Sequence, residues 1–188
     1  MMEILNRIAS VLKALRKERG WSLDKAAQET GVSKAMLGQI ERAESSPTIS
    51  TLWKIASGFT VPFSLFIADE QSDYSTGQTK ALHPSDDKIK VLPIFPYDEK
   101  LHCEIFLIEL LPGCEHLSPP HQPNVVEHVL VAEGSMEVLL NHTWKPLTKG
   151  EGLRFCAHQA HGYRNLSKKN STIYDIIHYP TRESRCSI

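Results

Sequence analysis

The sequence predicts a multi-domain α + β protein: an all-α first third, residues 1–68, and an all-β remainder, residues 88–188, joined by a linker at residues 69–87. Three observations carry this. Apolar residues recur at helical spacing through the first third. The run from Asp69 to Asp87 is polar, holds one Gly and one Pro, and has no sustained periodicity, which is linker composition. After Lys88, short apolar runs alternate with turn residues.

The helical elements follow in order. Leu5, Ile8, Leu12 and Leu15 mark a first helix, and Gly20 ends it behind Lys17 and Arg19. Ser22 caps a second helix to about Glu29, whose Ala26 and Ala27 leave room for close packing. Gly31 supplies a tight turn. Ser33 caps a third helix to about Arg42, with Met36, Leu37 and Ile40 on its apolar face. Thr48 or Ser50 caps a fourth helix containing Leu52, Trp53, Ile55 and Ala56. Pro62 starts a short fifth with Phe63 to Phe66.

Strands are expected at Ile89–Leu92, Leu101–Leu111, Val125–Ala132, Ser135–Leu140, Glu151–Phe155 and Thr172–Tyr179. Turns fall at Gly113, Glu133-Gly134, Asn141-His142, Lys149-Gly150 and Ser167 to Asn170. Short strands at this spacing suggest a sandwich or barrel.

Composition narrows the class. The chain has 188 residues, 41% hydrophobic and 23% charged, ordinary for a folded globular protein. No apolar run approaches the ~20 residues that span a bilayer. Glu3 and Arg7 interrupt the N-terminal apolar positions, unlike a signal peptide, so a cytoplasmic location with no membrane partner is expected. The four cysteines, Cys103, Cys114, Cys156 and Cys186, form no C-x-x-C pair and are expected as free thiols. Residues 1–68 hold nine Lys/Arg against six Asp/Glu, and residues 69–188 hold twelve against sixteen. The slightly basic first third suits a polyanion.

Two constellations carry chemistry. The segment T-G-V-S-K-A-M-L-G-Q-I-E-R reads as turn and helix, with Lys34, Ala35, Gly38 and Gln39 on one face. Lys34 suits guanine or phosphate, Gln39 adenine and Ala35 a thymine methyl, while Gly38 lets backbone approach the groove. Ser22, Ser33, Arg42, Ser45, Ser46 and Thr48 are candidates for contacts to phosphate, which set register without reading sequence. The second constellation is His121, Glu127 and His161. Two imidazoles and a carboxylate suffice for a divalent metal with open positions. Glu127 interrupts the apolar run V-V-E-H-V-L-V, where a charge needs a partner, a metal or a ligand cavity.

Both constellations resemble known families. L-R-K-E-R-G-W-S-L-D-K-A-A, T-G-V-S-K-A-M-L-G-Q-I-E-R and S-P-T-I-S-T-L-W-K-I-A, within residues 12–65, look like the five-helix, lambda-repressor-like helix-turn-helix of the Xre family. That resemblance implies a homodimer on a two-fold double-stranded DNA operator, with Ser33–Arg42 in the major groove. P-G-C-E-H-L-S-P-P-H-Q-P-N-V-V-E-H-V-L-V-A-E-G and K-G-E-G-L-R-F-C-A-H-Q-A-H-G-Y-R-N resemble the two motifs of the cupin (jelly-roll) barrel. The family's ligands then fall on His121, Glu127 and His161, with Gly134, Gly150 and Asn165 also matching. The fourth falls on Pro123, which cannot bind metal. His116 is a substitute placed in the loop before a strand. Zinc suits the remaining donors, with iron, nickel or manganese as alternatives. The pocket residues His121, Glu127, His161 and Asn165 would hold a small-molecule effector. S-K-A-M-L-G-Q-I-E-R, S-S-P-T, F-P-Y-D, E-G-x-R-F and I-I-H-Y-P resemble the sulfur-utilisation regulator type, implying a sulfur-containing amino acid or metabolite. A polyamine-type regulator is the neighbouring alternative. A metal-dependent cupin oxygenase or isomerase fused to a DNA-binding head, and a barrel used only for dimerisation, are the other readings.

Overall fold

A computed structural model describes residues 2–68 and 88–180. The linker at 69–87 and Cys186 lie outside the described residues. The chain divides into two compact units, Met1–Asp69 and Glu70–Ile188.

The first unit is five helices: α1 (Met2–Glu18), α2 (Leu23–Thr30), α3 (Lys34–Glu41), α4 (Ile49–Phe59) and α5 (Ser64–Ile67). Local chemistry sets their ends. After α1, Gly20 N–H donates to the Lys17 carbonyl and Trp21 N–H to the Arg16 carbonyl, with Gly20 left-handed at φ 64°. This pairing closes the last turn of a helix. Ser22, Ser33 and Thr48 accept from the backbone N–H of Lys25, Met36 and Thr51 and cap α2, α3 and α4. α5 is a single turn that starts two residues after Pro62, so Pro62 precedes the helix where the sequence places it at the first position.

The apolar faces meet in one core. Leu12, Leu37, Ile40, Leu52, Ile55, Phe59, Phe63 and Phe66 are buried. A polar clasp fixes α3 on α1. Arg16 Nε and Nη2 donate to the two carboxylate oxygens of Glu41 at 2.5 and 2.8 Å, and Nη1 donates to the Trp21 carbonyl at 3.0 Å. A planar guanidinium gripping a carboxylate through two bonds fixes orientation as well as distance. α3 is therefore held by apolar contact on one side and a fork on the other.

The second unit is nine strands: β1 (Ile89–Asp98), β2 (Cys103–Leu110), β3 (Cys114–Ser118), β4 (Val126–Glu133), β5 (Ser135–Leu140), β6 (Thr143–Thr148), β7 (Gly152–Cys156), β8 (His161–Asn165) and β9 (Ser171–His178). They pair antiparallel in two sheets, ordered β1-β2-β9-β4-β7 and β3-β8-β5-β6. Alternating burial along β2, β4 and β9 turns one side chain in every two towards the core. Asn141 and His142, both at positive φ, form the two-residue link between β5 and β6, a turn whose twist matches its strands.

Three strands, β3, β6 and β8, fall outside the six runs read from sequence, and β1 runs on through Pro93 and Pro96 to Asp98. β1 is an edge strand with register shifts after Pro93 and Phe95, which is where a sheet tolerates proline. β3 and β6 are the edges of the other sheet. Cys103 and Cys114 are not disulfide-bonded. Cys156 is disulfide-bonded, which corrects the expectation of a free thiol there.

Candidate functional site

In the helical unit the candidate face lies on α3. Lys34, Ala35 and Gln39 are exposed, and Leu37 and Ile40 point into the core. The Gln39 amide makes no hydrogen bond among the described residues, so its donor and acceptor edges are available to a base. Lys34 Nζ pairs with Asp24 at 2.8 Å, both ends well exposed. Arg42, the C-cap of α3, forks onto Glu44 at 2.7 and 2.8 Å. That contact holds Arg42 above and Glu44 below their ordinary values. Such solvated pairs are weak and screened by salt, so a phosphate can replace the carboxylate.

Gly38 is buried, and a Cβ there would stand 3.2 Å from Arg42 Nη1 and 3.8 Å from Leu23 Cδ1. The glycine leaves room for the Arg42 and Leu23 side chains. Ser22, Ser33 and Thr48 accept hydrogen bonds as caps. A capping hydroxyl that accepts from N–H retains its own O–H, and the helix start is positive, so caps suit phosphate. Ser46 is exposed, whereas the half-buried Ser45 hydroxyl donates to Met36 Sδ at 3.7 Å.

In the barrel, residues distant in sequence converge. His121, Glu127 and His161 are buried, and one ligand atom from each lies within 4.8 Å of the others. Glu127 Oε1 stands 2.8 Å from His121 Nε2 and 3.4 Å from His161 Nε2, yet it takes no well-aligned hydrogen bond. Glu127 Oε2 accepts from the Tyr163 hydroxyl at 2.5 Å. His161 Nδ1 faces the Gln159 carbonyl at 3.0 Å. A carbonyl only accepts, so Nδ1 carries a proton, and it is Nε2 that faces Glu127 and offers a lone pair once deprotonated. The two imidazoles meet edge to face, centroids 4.9 Å apart.

The electrostatics follow. Burial pushes the Glu127 carboxyl up, but the His161 and His121 imidazoles outweigh it and hold it well below the usual carboxylate range. Burial pulls His161 down, and Glu127 more than restores it, leaving His161 above its ordinary value. Burial holds the Tyr163 hydroxyl protonated, as a donor. Three convergent donors, one with its tautomer fixed, are what a divalent cation with an open position requires.

Other pocket residues fall differently. Asn165 is not brought to this cluster: its Nδ2 donates to the Leu110 and Lys169 carbonyls and its Oδ1 accepts from Ser167 N–H. It clasps the loop after β8, apart from the converging set. His116 lies on β3, not in a loop, buried opposite Tyr163 but outside the converging set. Pro123 is exposed. Sequence reasoning missed Tyr163, Glu104 and Asp175, all buried. The signal that picked out Glu127, a charge inside an apolar strand, also marks Asp175 in I-Y-D-I-I and Glu104 in C-E-I-F-L-I.

Comparison with known proteins agrees with both halves. A helix-turn-helix family model matches residues 12–66 and a cupin-domain model residues 106–177. The chain is 46% identical over 180 residues to the HTH-type transcriptional regulator SutR of Escherichia coli (strain K12), covering 95% of this chain and 99% of that one. It is similar to a crystal structure of an HTH_3 family transcriptional regulator from Vibrio cholerae, with TM-score 0.86 and 45% identity over 96% of this chain and 99% of that chain. The antitoxin HipB of Escherichia coli (strain K12) is 26% identical over 72 residues, 38% of this chain and 82% of the relative. No helix among the described residues is long and apolar enough to cross a membrane.

Proposed function

The chain belongs to the helix-turn-helix transcriptional regulators that carry a cupin domain, and we propose that it couples operator reading to metabolite sensing. It is a DNA-binding protein by that membership. In the reading we favour, a homodimer lays α3 of each copy in successive major grooves, Gln39 and Ala35 meeting base edges. Lys34, Arg42 and the capping hydroxyls of Ser22, Ser33 and Thr48 meet phosphate, with Ser45 and Ser46 in the loop before α4. The barrel binds a small effector, a sulfur-containing amino acid or metabolite, at a divalent metal held by His121, Glu127 and His161. Zinc fits two imidazoles and a carboxylate, and iron, nickel and manganese are admitted by the same donors. When bound, the ion supplies an open coordination position for a ligand heteroatom.

The observation that carries this reading is the convergence of three buried donors inside a barrel attached to a DNA-reading unit. An effector shifts operator affinity only by preferring one arrangement of the dimer over another. Elemental analysis of protein purified without added metal or a metal-affinity tag tests the centre. The expected result is near-stoichiometric divalent metal that His121→Ala abolishes; substoichiometric metal unchanged by that substitution overturns it. The two-histidine, one-carboxylate set also favours a second reading, ferrous oxygen chemistry. Aerobic turnover of a bound small molecule by the iron-loaded protein would select that reading, and stoichiometric binding without turnover the sensor.

A further inference from the structure

We propose that Asp175 is the recognition group for a primary ammonium on the molecule that enters the barrel. This rests on the barrel being an effector pocket and names the chemical class of its ligand. β9 buries Ser171, Ile173, Asp175 and Ile177 on one side. Ile177 lies between Glu104 on β2 and Glu127 on β4. Asp175 is the next inward residue along β9, between Phe106 and Val129. Three buried carboxyl groups therefore share one wall of the barrel.

Two of them face polar side chains of this chain. Glu104 accepts from the Tyr179 hydroxyl, and Glu127 accepts from Tyr163 on one oxygen and has an imidazole nitrogen of His121 and of His161 within 3.4 Å of the other. Asp175 is 3% exposed, and its Oδ1 has no hydrogen-bond partner among the described residues. A buried carboxyl oxygen left unpaired is unfavourable unless something else occupies it. Glu104 and Glu127 stand on the two flanking strands, one inward position further along the wall. A cation placed at Asp175 offsets the mutual repulsion of three carboxyl groups, whereas a neutral or anionic group does not. A primary ammonium brings three donors and a positive charge. With its ammonium at Asp175, an amino thiol or amino acid can turn its other polar group towards His121, Glu127 and His161.

The test is calorimetric titration of the zinc-loaded full-length protein with three probes. L-Cysteine carries ammonium, thiol and carboxylate, cysteamine lacks the carboxylate, and 3-mercaptopropionate lacks the ammonium. L-Cysteine and cysteamine are expected to bind at least tenfold more tightly than 3-mercaptopropionate. Asp175→Asn is expected to erase that preference while leaving the melting temperature and zinc content unchanged. Should Asp175→Asn fail to fold, Asp175→Ser takes its place, and the wild-type comparison of probes stands without either. Equal binding of 3-mercaptopropionate and L-cysteine overturns the ammonium site but leaves the barrel a sensor. Retention of the preference in the folded variant overturns the assignment to Asp175. Binding of none of the three overturns both this site and the sulfur-effector reading.

Discussion

The two units solve opposite problems. On α3 the side chains proposed to read DNA, Lys34, Ala35 and Gln39, lie in water. In the barrel the proposed metal ligands lie beneath the surface, Glu127 at 1% and His161 at 2% exposure, and face one another. An exposed charge can exchange one partner for another with little penalty. A buried one must be matched wherever it stands. The reading face should therefore respond to substitution locally and additively, and the barrel cluster as one coupled group.

The largest expected effect breaks that contrast at the metal centre. Glu127→Ala should abolish divalent metal binding, read by elemental analysis, while its affinity for operator DNA stays within about twofold of metal-free wild type. A large loss relative to metal-free wild type would show that Glu127 supports the helical unit by some route other than metal binding. The next effect tests the support beneath the face. Leu37→Ala removes a fully buried side chain of α3 and should lower stability of the helical unit by about 2–5 kcal/mol, measured by denaturant unfolding. Gln39→Ala, which touches no core, should leave the same unfolding curve unmoved.

On DNA, Gln39→Ala should weaken operator binding by about 1–3 kcal/mol and relax preference at one base per half-site. Equal loss on every duplex would remove Gln39 from base reading. Arg42→Ala should give a smaller loss, uniform across sequences, with a shallower salt dependence. The smallest effect is on pH. His161 is held above its ordinary value, so it stays protonated to higher pH, and metal binding must displace that proton. Zinc affinity should rise with pH through the neutral range and level off once the ring is neutral. A flat profile would mean that His161 is not a ligand.

Legibility in the sequence followed the same divide. Helix ends are local events, so Ser22, Ser33, Gly20 and Gly31 could be read directly and Thr48 as one of two candidates with Ser50. The structure uses each of these five as a cap or stop, with Thr48 rather than Ser50 on α4. The burial of Gly38 was not legible, because helical spacing places it beside Lys34 and Gln39, while its cover depends on Leu23 and Arg42 lying over it. In the barrel, strands with long apolar runs were visible. The short β8, H-G-Y-R-N, was not, because its inward residues are His161, Tyr163 and Asn165 rather than aliphatic side chains. β6 hid for a related reason: it is an edge with Pro146 inside it, and Leu147 is its one buried residue. His121, Glu127 and His161 could be picked out by residue type. Their convergence, and the approach of Asp175 to the same wall, are set by which strands pair, and six strands of the right length do not specify that order.

The most direct test measures the dissociation constant of wild-type protein for its own promoter fragment and for random duplex. Each is measured with and without zinc and L-cysteine. Coupling of the two units predicts a marked preference for the promoter and a several-fold change in promoter affinity on adding zinc and L-cysteine, within the roughly 5–150-fold range of such linkages; that change should vanish in Glu127→Ala. No preference for the promoter under any condition, or an affinity that ignores both additions, would contradict it.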